Sequence, residues 1–242
     1  MKNYRDKRIE AEFFSQVTRT HPWTTALSDE SHRYYNLIEK PELIETSLED
    51  FLPYNNYPAI QTFYELLKWL NGSDSIFESN DSALSNKIEI NTDRNTPQIA
   101  QQSHRIRGRL FFFFREHILN ADQRACNWLL NDIPLEFGKI DNKFELGIVG
   151  YSIAPTAYLS LPAPLSERSY PSICLSFFAW GTDENSTMEN LQRLFSNTLK
   201  VLKILSEKGI TRKYPQRGQK LMQKVLDNDT ETLNKLTTVR WS

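Results

Sequence analysis

One stretch constrains the fold more than any other. Residues 105–116 read Arg-Ile-Arg-Gly-Arg-Leu-Phe-Phe-Phe-Phe-Arg-Glu. Successive side chains of a strand point to opposite faces of its sheet. In that geometry Arg105, Arg107, Arg109, Phe111, Phe113 and Arg115 share one face, and Ile106, Leu110, Phe112 and Phe114 share the other. Phenylalanine on both faces requires cover on both, which fits an internal strand. The segment therefore predicts a central strand between two packed layers. A chain of 242 residues has the material for them, because a single domain of this size buries roughly 70% of its unfolded surface.

The rest of the pattern is read around that strand. Residues 58–71 carry Ile60, Phe63, Tyr64, Leu67 and Leu70 at helical spacing, with Pro58 in the first turn and Gly72 as a left-handed stop. A strand at 75–78 is expected to run into a polar turn, Ser79-Asn80-Asp81-Ser82. Residues 85–103 read as loop apart from a weak alternating strand at 87–91. A helix over 120–132 follows the Phe-rich strand, capped by Asn120 and stopped by Pro134. Residues 144–159 and 172–181 read as strands joined by a proline-rich link, and are expected to pair antiparallel. Ser186 and Glu189 form a capping box for a helix over 186–207 that Gly209 ends. A basic loop then leads to helices near 218–227 and 230–239. Strands come in adjacent pairs rather than singly between crossover helices. That order predicts an α+β fold, with a largely antiparallel central sheet packed by several helices. Residues 58–242 are expected to be one domain, and 1–57 an N-terminal arm, with a short helix over 6–17, packed on that core.

Composition removes several classes. Apolar residues at 39% and aromatics at 12% exclude a disordered chain. No apolar run approaches the roughly 20 residues of a membrane helix. The N-terminus has no apolar secretion core, and two cysteines, Cys126 and Cys174, cannot build a disulfide framework. The expectation is a cytoplasmic protein with both thiols reduced.

No catalytic signature stands out. Gly150-Tyr151-Ser152-Ile153-Ala154 half-matches a nucleophile elbow, but that motif needs a helix behind the serine, and here the strand pattern continues into Pro155. His21, His32, His104 and His117 show no metal spacing, and neither cysteine lies in a paired motif, so neither metal nor cofactor is expected. Asp227-Asn228-Asp229-Thr230-Glu231 resembles the start of a calcium loop but lacks its glycine and late glutamate, and reads instead as a helix break capped by Asp229 or Thr230.

Charge is more informative. Residues 1–104 hold 16 acidic and 10 basic side chains, whereas 184–242 hold 6 acidic and 11 basic. Lys208, Arg212, Lys213, Arg217, Lys220 and Lys224 follow one another with no acid between Glu207 and Asp227. The acidic turn at Glu78 and Asp81 and the arginine row Arg105, Arg107, Arg109 form two further clusters. They read either as an ion-pair lattice tying loop 85–103 to the sheet or as a charged patch facing a partner.

Three segments together resemble a known family. They are Glu78-Ser79-Asn80-Asp81; residues 109–115 with Trp128-Leu129; and Ser176-Phe177-Phe178-Ala179-Trp180-Gly181 leading into 188–195. The pattern, spread over 58–207, resembles the immunity proteins of bacterial polymorphic toxin systems. The resemblance implies a cytoplasmic, non-enzymatic protein that binds one cognate toxin and occludes its active site, with no catalytic residue of its own. On this reading Glu78, Asp81, Arg105, Arg107 and Trp180 are the expected partner-binding residues, with no membrane or nucleic acid involved. Two alternatives stay open: a hydrolase with a non-linear site at Glu78, Asp81 and His104, and a nucleic-acid binder using 208–224.

Overall fold

The computed structural model describes residues 19–21, 37–46, 54–85, 87–140 and 146–238. The helix expected over 6–17 lies outside them. The Phe-rich segment forms β4, His104–Phe114, and it is internal, as its two apolar faces require. β6 (Ser169–Gly181) pairs with it along one side. On its other side it carries β2 (Phe77–Leu84) and, nearer its start, the two-residue β3 (Glu89–Ile90). β5 (Gly147–Tyr158) pairs antiparallel with β6, and β1 (Arg19–His21) adds to β5 in parallel. The sheet runs β1-β5-β6-β4-β2, with β3 off that path, and β1–β5 is its one parallel pairing among the described residues. The fold is α+β.

One sheet face buries Ile106, Leu110, Phe112 and Phe114 of β4 beside Ile173, Leu175, Phe177 and Ala179 of β6. Three helices cover it: α2 (Pro58–Asn71), α4 (Gln123–Ile140) and α5 (Glu184–Thr211). Phe195 of α5 stacks on Phe63 of α2 at 4.7 Å and meets Phe177 edge-on at 5.1 Å, joining both helices to the sheet. The short α1 (Leu43–Thr46) adds Ile44 to this core. The opposite face holds Phe111 with Ala154 and Cys174, and then Phe113 with Tyr158 and Tyr170. Val225 of α6 (Tyr214–Leu226) and Leu236 of α7 (Thr230–Thr238) join that second cluster. Cys126 and Cys174 are both buried thiols outside any disulfide.

Several boundaries differ from the sequence reading, each because a tertiary contact outweighs a local signal. The expected turn at 79–82 is strand: β2 continues to Leu84, with a register shift between Ser79 and Ser82 that absorbs Asn80 and Asp81 as a bulge. The loop 85–103 also holds a helical turn, α3 (Pro97–Ala100), capped by Thr96. Gly72 ends α2 in extended backbone, φ −79°, not left-handed, and Arg115 donates to its carbonyl at 2.6 Å. Asn120 caps nothing in α4. It closes a 3₁₀ turn, His117–Asn120, and its side chain bonds both the N–H and the C=O of Phe114 at 3.0 Å, standing in for a neighbouring strand. α4 passes through Pro134, because beyond the break Glu136 is buried and gripped by Lys208 of α5. α5 starts under a capping box of Asp183 and Ser186, one turn earlier than expected, and runs past Gly209, whose missing side chain leaves room for Ile76.

Phe112 is fully buried on the helix-covered face. Phe112→Ala is expected to cost about 3–5 kcal/mol of unfolding free energy in chemical denaturation. A loss under about 1 kcal/mol contradicts the packing described.

Candidate functional site

The expected partner-binding residues do not form one site. Glu78 stands opposite Phe113 and Arg105 opposite Trp180, so the two groups lie eight residues apart on β4, about 26 Å along the strand. Around Arg105 the lattice reading holds, but with other acids. Arg105 Nε donates to Glu89 at 2.9 Å and its Nη1 to both oxygens of Asp93 at 3.0 and 3.1 Å. Trp180 Nε1 donates to the same Asp93 at 2.9 Å, and Arg107 reaches Glu89 at 3.2 Å. This lattice fastens β3 and the start of the following loop to the sheet. Trp180 is 2% exposed and Arg105 is engaged, so of this group only Arg107 presents most of its side chain to solvent. Asp81 sits in the β2 bulge. Ser152 lies within β5 opposite Cys174, with no turn or helix behind it.

Glu78 is not on an exposed turn: it is 3% exposed. Two segments converge on it. β1 brings His21, held in register opposite Tyr158, and the 3₁₀ turn brings His117. His21 Nε2 lies 2.9 Å and His117 Nε2 2.8 Å from the same Glu78 oxygen, Oε1. Nδ1 of His117 is hydrogen-bonded to Ser160 Oγ. The imidazoles meet edge-on at 5.0 Å between the rings of Phe113 and Tyr158. Burial pushes the Glu78 carboxyl up, but the hydrogen bonds from His117 and His21 outweigh it and hold the group below its ordinary value of 4.5. The Tyr158 phenol, buried and close to Glu78, is driven well up, and its hydroxyl donates to the Pro171 carbonyl at 3.0 Å. Chemically, an ionised carboxylate with two imidazole nitrogens on one oxygen can hold a proton or a divalent cation. His104, the histidine expected to serve a Glu78 site, is at the far end of β4, against the Thr182 carbonyl. Sequence reasoning missed His21 and His117 as a pair because 96 residues separate them, and no local spacing encodes a meeting made by strand pairing.

The basic segment is resolved into parts. Lys208 is neutralised by Asp132 and Glu136, at 3.1 and 2.6 Å. Arg217 makes a two-pronged pair with Asp122, a buried carboxylate beside the 3₁₀ turn. Of the others, Arg212 and Lys213 join α5 to α6, and Lys220 and Lys224 sit on α6, which begins at Tyr214, four residues before its expected start. Lys213, the residue before it, is left-handed at φ 59° and turns the chain out of α5. Helical spacing then aligns Lys213, Arg217, Lys220 and Lys224 on one face, while Tyr214, Gly218, Leu221 and Val225 turn inward. That spacing was the legible signal for a helix where the sequence reading placed a loop. Tyr214 stacks on Trp128 of α4 at 4.8 Å, and Gly218 lets α6 approach Glu116, whose Cβ lies 2.9 Å from where a side chain would begin. With Arg124 and Arg212 the stripe lines a cleft of about 560 Å³.

Comparison with known protein families, curated proteins and solved structures finds no match for this chain. No helix among the described residues is long and apolar enough to cross a membrane.

Glu78 contributes stability in full above the titration range of an unfolded carboxyl, and that contribution is lost as pH falls through its lower folded value. The stability gap between wild type and Glu78→Gln in urea is expected to be widest near neutrality and to close on acidification. A gap that stays constant from neutral pH to below pH ~4 rules out an ionised Glu78.

Proposed function

We propose that this protein acts by binding another protein, without turnover of its own, and that its basic cleft receives the partner's acidic surface. The cleft is the observation that carries the reading. Six cationic side chains converge on one concavity, and Arg124, Arg212, Lys213 and Lys220 make no ion pair with a carboxylate among the described residues. Unspent positive charge in a concave site draws an anionic partner in and fixes its register, acting on association rate and specificity more than on raw affinity.

The resemblance to immunity proteins supports a cognate bacterial toxin as the partner, with binding that covers its active site in the cytoplasm. The contact surface of that proposal is the α6 stripe with Arg212. An acidic insert at Glu78 does not suit it, because Glu78 is buried. The hydrolase alternative gains two histidines at Glu78 but loses His104, and so would need a different set of residues from the one expected.

The test is the complex purified from native cells with its partner bound. Arg212→Glu, Lys213→Glu and Lys220→Glu combined reverse exposed charges, and are expected to weaken the partner about a hundredfold or more at unchanged denaturation midpoint. Association of the wild type should slow as salt rises. Retention of the partner by the triple variant overturns the cleft assignment. Nucleic acid bound in place of a protein, with a steep salt dependence, assigns the cleft to the third reading.

A further inference from the structure

We propose that His21, Glu78 and His117 form a binding site for one divalent transition-metal ion of the zinc class, formed by other residues than the basic cleft. The argument begins with donor type. Two imidazole nitrogens and one carboxylate oxygen make the His₂Glu set that binds Zn²⁺ with an open fourth position. The three residues offer ligand atoms that lie within 4.8 Å of one another. Both Nε2 atoms aim at a single oxygen, Glu78 Oε1, at 2.9 and 2.8 Å. A buried carboxylate needing only neutralisation has two oxygens to offer. Convergence on one of them defines a point that a cation can occupy once the two Nε2 protons leave. Tetrahedral metal–ligand bonds of about 2.0–2.2 Å require each Nε2 to part from Oε1 by roughly half an ångström.

The surroundings fit the same role. Each donor is held by backbone pairing: His21 by β1 on β5, with its carbonyl accepting from the Leu159 N–H at 2.8 Å, and Glu78 by β2 on β4. The turn that carries His117 is locked by Asn120. Ser160 holds the far nitrogen of His117. A metal on Nε2 places the imidazole proton on Nδ1, where it donates to Ser160 Oγ; without metal the serine hydroxyl donates instead. A hydroxyl serves both states by rotation, and this outer contact fixes the ring as second partners do in zinc sites. Phe113 and Tyr158 wall the cluster with aromatic surface, and the three side chains are only 4–16% exposed.

The experiment uses the full chain, stripped with chelator and titrated with Zn²⁺ against a competing chelator, then with Co²⁺. One Zn²⁺ per chain is expected, with Co²⁺ giving the strong visible absorption of a four- or five-coordinate site. Ser160→Ala should weaken Zn²⁺ about 10–100-fold with the fold retained, since Ser160 is exposed. His117→Gln and Glu78→Gln should abolish stoichiometric binding. No binding by wild type, a six-coordinate Co²⁺ spectrum, or equal Zn²⁺ affinity in wild type, Ser160→Ala and His117→Gln each overturns the proposal. Because Ser160→Ala and the Co²⁺ spectrum do not depend on the core variants folding, the test decides even if those variants do not fold.

Discussion

The double burial of β4 is the constraint from which the rest of the architecture follows. Phe112 and Phe114 on one face and Phe111 and Phe113 on the other commit the chain to two layers, one on each side of the sheet. The first is a large interlocked core under α2, α4 and α5. The second is smaller and mixed, and two of the polar groups that enter it are paired. Thr156 meets Ser172 at 2.9 Å, and the Tyr158 hydroxyl is satisfied by the Pro171 carbonyl. Burying a polar group costs little once its hydrogen bond is made. The same rule governs Glu78, which enters the apolar layer beside Phe113 only because two imidazoles meet it there.

The sequence carried the layers well and the ends of elements poorly. Period two in β4 and the stripe of α2 are repeated, redundant signals, and both elements stand where that periodicity puts them. Single-residue signals fared worse. Pro134 and Gly209 each say stop to an isolated helix, yet α4 and α5 continue because Glu136, Lys208 and Ile76 contribute more from neighbouring elements than one helical hydrogen bond or one glycine takes away. Ser79, Asn80 and Asp81 have the composition of a turn. They lie in a strand because Asn71 of α2 bonds both the N–H and the hydroxyl of Ser79.

The candidate sites divide along the same line. The cationic face of α6 was written in the chain at helical spacing and needed only the right element to become a cleft. Arg105 was legible as half of a lattice, but its acids, Glu89 and Asp93, are supplied by β3 and the loop after it, which pairing alone brings near. The Glu78 cluster was not legible, because β1 supplies one histidine and the turn after β4 the other. What the local sequence does supply is the means of holding them: Asn120 beside Phe114, and Ser160 two residues past Tyr158.

The 3₁₀ turn between β4 and α4 has a further consequence. Its first residue is His117, and the residues that flank it, Glu116 and Asp122, touch Gly218 and Arg217 of α6. One rigid turn is therefore shared by the histidine cluster on one side and the cleft on the other. Were both proposed sites occupied, thermodynamic linkage would make such sharing reciprocal: a partner in the cleft that displaced the turn would change the free energy of ion binding at His117, and an ion there would change the cleft's affinity by the same factor.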